Sequence, residues 1–269
     1  MKSDYEQHYM ASKKNSNISN KESKYGSLYD LSIDTECITM TDEYKNLISA
    51  ISKKINNKFN NKHACLDARF VTYVNAWRDI EEIEQLANLI FPEIERNIFH
   101  SKLKVEFVLP YRNKTNLKNL EASWLWHYDD CPKEFVKLGI YLNETSEDNG
   151  CFQYVTGKDS VPVIPTSRLY VNADLNPPRK FARSRVPGEY IEEIISQEGE
   201  VKSLTGPPGT YFLFTPNIIH RATEPKPGTL PREALFFFIR PSVEQGKYID
   251  EKTCSIKGNQ KKVKRYVMD

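Results

Sequence analysis

Two periodicities divide the chain. Between 42 and 60, Leu47, Ile48, Ile51, Ile55 and Phe59 fall at steps of three and four, which places them on one face of a helix. Ile80, Ile83, Leu86, Ala87 and Ile90 repeat the pattern from about 79 to 91. Pro92 predicts the end of that second helix, because proline brings no N–H to the ladder, and a short helical turn over 93–99 follows. Beyond residue 103 the texture changes to short runs dense in Val, Tyr and Phe: "KVEFVLPY", "FVKLGIYL", "GCFQYV", "SRLYV", "GTYFLF" and "EALFFFIR". Turn material such as "SEDNG", "GPPG" and "PKPG" separates several of them. No strand–helix–strand alternation is visible, so the strands predict a sandwich or barrel. One interruption, 177–198, reads as a loop followed by a short helix, "PGEYIEEIISQ". The expected fold is mainly β (α+β), a double-stranded β-helix or cupin-like jelly roll of about eight strands with flanking N-terminal helices.

Composition narrows the picture. The chain has 269 residues, 39% of them hydrophobic, enough to bury one substantial core. The first ~25 residues are rich in Ser, Asn and Lys and are expected to be poorly ordered or draped on the surface. A single domain is expected over 26–245, helical to about 100 with the β core over 104–241, followed by a basic tail over 246–269. A net charge of +2 calls for neither nucleic acid nor a membrane surface as partner. Five scattered cysteines, never paired as C-x-x-C, suit a reducing cytosol better than a disulfide frame. No apolar run approaches the ~18 residues of a membrane span, and "MKSDYEQHYMASKK" lacks the apolar stretch of a signal peptide. The expectation is a cytoplasmic protein with a small-molecule substrate.

Candidate chemistry begins at "WHYDD". His127-x-Asp129 precedes the strand "FVKLGIYL", and His220 follows the strand "GTYFLF". Alone, an H-x-D is a weak signal. Two histidines and one carboxylate with open coordination positions are, however, the facial set of non-haem Fe(II) oxygenases. A jelly roll can bring such distant residues to one rim, because its strands return to the same end. Arg232, opening the strand "REALFFFIR", is placed to fork onto a carboxylate of a chelating cosubstrate.

The texts "WHYDD", "YLNETSEDNGCFQYVTG" and "GTYFLFTPNIIHRATEPKPGTLPREALFFF" resemble the phytanoyl-CoA dioxygenase-type family of Fe(II)/2-oxoglutarate-dependent oxygenases over roughly 104–241. The resemblance implies that His127, Asp129 and His220 hold Fe(II) and that Arg232 anchors 2-oxoglutarate. Tyr141 and Arg112 are further cosubstrate candidates. O₂ is the second cosubstrate, and a C–H bond of a small polar or anionic metabolite is hydroxylated with release of succinate and CO₂. The carboxylate at 129 argues against halogenation, which in related enzymes needs a small residue there. Two departures stand out: the family's PG(S/T)H segment reads "TGKD", and the serine that often sits two residues after the distal histidine is Ala222. The basic stretch "PPRKFARSR" corresponds to a region that often covers the active site, which makes Arg179, Arg183 and Arg185 candidates for contact with an anionic substrate. Two alternatives stay open: a non-catalytic cupin-like binding protein, which gives Arg232 no role, and an iron oxygenase that does not use 2-oxoglutarate.

Overall fold

The computed structural model describes residues 7, 9–11, 25, 28–60, 65–66, 70–115, 122–129, 131–132, 134–165, 185–243 and 246–254. The first predicted helix is α1, Asp42–Phe59. Thr41 caps it, its hydroxyl accepting the Tyr44 N–H at 3.2 Å, and Asp42 and Glu43 sit in the first turn where the helix dipole favours negative charge. The second, α2, is Glu82–Ile94 and runs through Pro92 instead of stopping there. Pro92 forfeits only the bond to the Asn88 carbonyl. The buried stripe Ile83, Leu86, Ala87, Ile90, Phe91 and Ile94 carries the helix past it into a π-helical turn, Glu95–Phe99. Packing outweighs one missing hydrogen bond.

The strands are β1 Ile33–Asp34, β2 Cys65–Leu66, β3 Phe70–Thr72, β4 Leu103–Asn113, β5 Val136–Tyr141, β6 Phe152–Thr156, β7 Glu200–Leu204, β8 Tyr211–Phe214, β9 His220–Ala222 and β10 Glu233–Pro241. They form an antiparallel sheet of order β1-β8-β5-β10-β4-β3-β2 and a smaller antiparallel sheet of order β7-β6-β9. The two face each other as a jelly roll. The expected helix in the 177–198 interruption is α3, Gly188–Ser196. The expected strand "SRLYV" lies outside the described residues.

Side chains alternate across the large sheet, so its two faces do different things. Val105, Val108, Leu138, Ile140, Leu213, Leu235 and Phe237 pack with α1 and α2 in one cluster that includes Ile48, Ile51, Ile55, Ile83, Ile90 and Phe91. Each of these fully buried side chains contributes roughly 1.5–3 kcal/mol over its exposed state. The opposite face presents Leu109, Phe212, Phe214, Phe236 and Phe238 towards Phe152 of the small sheet. Near the N-terminus, Tyr9 is buried and its hydroxyl accepts the Leu28 N–H at 3.2 Å. Ile249 and Cys254 join the helical cluster from the other end of the chain. Among the described residues, no helix is long and apolar enough to cross a membrane.

Candidate metal centre

His127 lies outside any regular strand yet is held as if in one. Its N–H donates to the His220 carbonyl at 3.0 Å and the His220 N–H donates back at 2.8 Å. Two residues exchanging both bonds stand directly opposite and project to the same side. Their imidazole centroids are 4.3 Å apart. Asp129, two positions on, returns to that face, pinned by its N–H to the Pro216 carbonyl at 2.8 Å. One ligand atom from each of His127, Asp129 and His220 lies within 4.8 Å of the others.

The donor chemistry suits a divalent cation. Nδ1 of His127 is 2.8 Å from the Leu125 carbonyl and Nδ1 of His220 is 2.8 Å from the Ile218 carbonyl. A carbonyl can only accept, so both protons sit on Nδ1 and both Nε2 lone pairs are left for a ligand. Burial disfavours the imidazolium forms and holds His127 down to about 3 and His220 down to about 4. Both rings are therefore neutral at physiological pH. Burial alone would raise Asp129, but Lys137 and the two histidines hold its carboxyl well below the usual carboxylate range. Two neutral imidazoles and one carboxylate are the set that binds Fe(II) while leaving coordination positions open. Phe152 and Phe214 flank the His220 ring at centroid distances of 5.4 and 5.3 Å and keep it in place.

The three residues open onto a cavity of about 420 Å³ between the sheets. Arg232 and Asn113 line one end, beside Tyr111, Leu109 and Phe236. Arg232 is 3% exposed, and its backbone is clamped, the N–H donating to Asn149 and the carbonyl accepting from Asn113. Its guanidinium lies 5.8 Å from the Tyr111 ring centroid, and Nη2 donates to Asn113 Oδ1 at 3.4 Å. Nε and Nη1 of Arg232, and Nδ2 of Asn113, find no hydrogen-bond partner among the described residues. Leaving buried donors unpaired costs about 1–3 kcal/mol each, more for charged ones, so this corner suits an acceptor that the described residues do not supply.

The remaining candidate residues fall in different places, and one of them lies away from the cavity. Arg112 does not line the cavity. It follows Tyr111 and precedes Asn113, which both point inward, so it faces α1 instead. There it pairs with Glu233 at 2.7 Å, donates to Asn56 and Asn60, and covers the Phe59 ring. Tyr141 is fully buried behind the cavity wall. Its hydroxyl donates to the Leu204 carbonyl at 2.8 Å, accepts the Phe152 N–H at 3.0 Å and lies beside the Arg232 guanidinium, so it ties the two sheets together next to that arginine. Arg185 is half-buried, and its backbone bridges to His127 at the rim of the site. Arg179 and Arg183 lie outside the described residues.

Two residues of the cavity escaped the sequence reading. Asn113 ends β4 as the second inward residue after Leu109, and it lines the same cavity as Ala222 and Arg232. Lys137 donates to Asp129 Oδ2 at 2.6 Å, with its ammonium 5.0 Å from the Phe238 ring centroid. Its signal was a lysine inside the otherwise apolar run "FVKLGIYL".

The family model for phytanoyl-CoA dioxygenase (PhyH) matches residues 35–228, well over half of the sequence. The chain belongs to this family. Among curated proteins, L-proline trans-4-hydroxylase of Streptomyces griseoviridis is 25% identical over 131 residues, 43% of this chain and 48% of that protein. The chain thus spans about half the length of the curated relative it matches. Among solved structures, the epimerase SnoN in complex with Fe3+, alpha ketoglutarate and nogalamycin RO superposes with a TM-score of 0.53 at 10% identity, covering 82% of this chain and 90% of that one. EctD from S. alaskensis with 2-oxoglutarate and 5-hydroxyectoine gives 0.52 at 16% identity, covering 86% and 84%. At such identities the likeness is one of fold, and it places this PhyH-family chain among jelly-roll proteins.

Proposed function

We propose that the protein is an Fe(II)- and 2-oxoglutarate-dependent oxygenase that hydroxylates a C–H bond of a small molecule. The reaction balances as R–H, O₂ and 2-oxoglutarate giving R–OH, succinate and CO₂. Family membership and the His127, Asp129 and His220 cluster support this reading, and the names of its relatives, a proline hydroxylase among them, accord with it. Arg232 carries it furthest, as a buried guanidinium with two unpaired N–H groups facing the cavity that His127, Asp129 and His220 also face. A cupin-like binding protein, or an oxygenase without this cosubstrate, would leave those donors unexplained.

Iron held by His127, Asp129 and His220 would supply O₂ activation coupled to oxidative decarboxylation of 2-oxoglutarate. The protein's part is to bind and orient. Arg232 and Asn113 hold the distal carboxylate, Tyr111 supports the guanidinium from its ring face, and Leu109, Phe152 and Phe236 exclude water along the cosubstrate. Arg185 at the rim, with Arg179 and Arg183, is proposed to meet the substrate. The test is succinate formation from 2-oxoglutarate that requires added Fe(II) and O₂. A purified, iron-loaded protein that neither binds nor turns over 2-oxoglutarate would overturn the proposal.

A further inference from the structure

Lys137 is placed where the proposed function gives it no task. It stands on β5 opposite Phe238 of β10, which in turn stacks on Phe107 of β4 at a centroid distance of 3.9 Å. Roughly 20 Å of β10 backbone runs from Arg232 to this level, so Lys137 marks the other end of the cavity. That end is walled by Phe107, Phe135 and Phe238. Without metal, the ammonium simply balances Asp129. With a divalent ion on Asp129, the same ammonium becomes a like charge one carboxylate away from a dication, in a site where charges are poorly screened.

A charge count over the described walls shows what is missing. The metal's two charges are met by Asp129 and by one carboxylate of 2-oxoglutarate, and Arg232 is met by the other. Glu106 is taken by Arg240, whose Nε lies 3.0 Å from its carboxylate. Arg221 is turned onto the Trp126 ring at 4.2 Å and donates to Gln153 at 2.9 Å. Lys137 and the metal would then share the single charge of Asp129, which leaves an excess of positive charge at this end for an anion to meet.

We infer that Lys137 anchors a carboxylate of the substrate, and that the substrate is a small carboxylic acid with an apolar body. The inference rests on the oxygenase reading above. The aromatic walls receive the body, and a cavity of about 420 Å³ shared with 2-oxoglutarate limits its enclosed part to the size of a small acid. Because Lys137 reaches Asp129 at 2.6 Å, a carboxylate held by Lys137 lies beside the metal site. The carbon oxidised is therefore within a few bonds of that carboxylate.

The test uses the full chain, anaerobic, loaded with Fe(II) and 2-oxoglutarate. Butanoate, cyclopentanecarboxylate and phenylacetate are each titrated by calorimetry against their primary amides. The charge-transfer absorption of the iron–2-oxoglutarate complex is followed to show that the cosubstrate stays bound. In wild type and in Lys137→Arg, at least one carboxylate should bind tenfold or more tightly than its amide. In Lys137→Met that preference should fall to near unity. Absence of any carboxylate preference in wild type, including absence of binding at tens of millimolar, overturns the inference whether or not Lys137→Met folds. So does a preference that survives in Lys137→Met. Failure of 2-oxoglutarate itself to bind the iron-loaded wild type is a separate observation, and it would strike the oxygenase reading instead.

Discussion

Replacing Arg232 by lysine keeps the charge and removes the fork. The wild-type guanidinium offers Nε and Nη1 unpaired to the cavity while Nη2 is occupied by Asn113. A carboxylate received on the second hydrogen of Nη2 together with Nε or Nη1 takes two parallel charge-assisted bonds, and lysine can restore one. Loss of one such bond costs about 1.5–3 kcal/mol, which at 1.4 kcal/mol per decade is a ten- to hundredfold weaker affinity for 2-oxoglutarate. Lysine also lacks the planar group that lies over Tyr111, which adds to the loss. Were Arg232 instead an ordinary exposed cation, the change would be worth under about 1 kcal/mol, less than sixfold. The two cases separate cleanly in an anaerobic titration of 2-oxoglutarate into the iron-loaded proteins, with iron content measured in both. Iron binding without cosubstrate should be the same, since Arg232 touches none of the three ligand residues. Affinities within twofold of each other would refute the reasoning and leave the cosubstrate assignment without its main support.

His127→Ala and His220→Ala should each lose bound iron and all turnover while keeping the circular dichroism of the fold; normal iron content in either would dismiss the triad. Both histidines titrate lower in the folded protein than in the unfolded chain, so acid favours unfolding: the metal-free protein should lose up to about 2.7 kcal/mol per pH unit from about pH 6.5 down towards 4. Urea melts at several pH values would read that slope, and a His127→Gln, His220→Gln double variant that melts with the same slope would contradict it. Gly139 on β5 has no room for a side chain, since a Cβ there would sit 2.5 Å from Phe212 and 2.9 Å from Phe236. Gly139→Ala should therefore cost about 1–3 kcal/mol in a thermal melt, and an unchanged midpoint would show that the aromatic layer yields freely.

How much of this was legible in the sequence depended on the kind of signal. The helices were, because Ile48, Ile51, Ile55, Ile83 and Ile90 all point into one layer and periodicity records burial directly. The long strands were as well, through their density of Val and Phe. Strands β7 and β9 were not. The first is half-exposed and polar in "EVKSL", and the second has three residues, so neither offers an alternation to read. The metal triad could be read because its residue types are rare and their order is informative. The cosubstrate end could be read only in part. Arg232 had a resemblance behind it, whereas Arg112, Asn113 and Tyr141 depended on which way each side chain of a strand faces. That is a matter of parity and partners, and a single sequence carries neither.

Parity at that corner is set from outside the cavity. In the β4–β10 register Glu233 stands opposite Arg112, and both face α1, where Arg112 also donates to Asn56 and Asn60. One residue away on each strand, Arg232 and Asn113 face the cavity. A slip of one position would turn every side chain of β10 to the opposite face, driving Glu233 into the cavity and Arg232 against the helix. The buried pairing of Glu233 with Arg112 makes that slip expensive, because it would strand a carboxylate beside Leu109 and Tyr111. Helix α1 touches no metal ligand and lines no part of the cavity. It nevertheless takes part in choosing which arginine meets the cosubstrate, through Asn56 on its surface, Asn60 at its C-terminal cap and one ion pair beneath it.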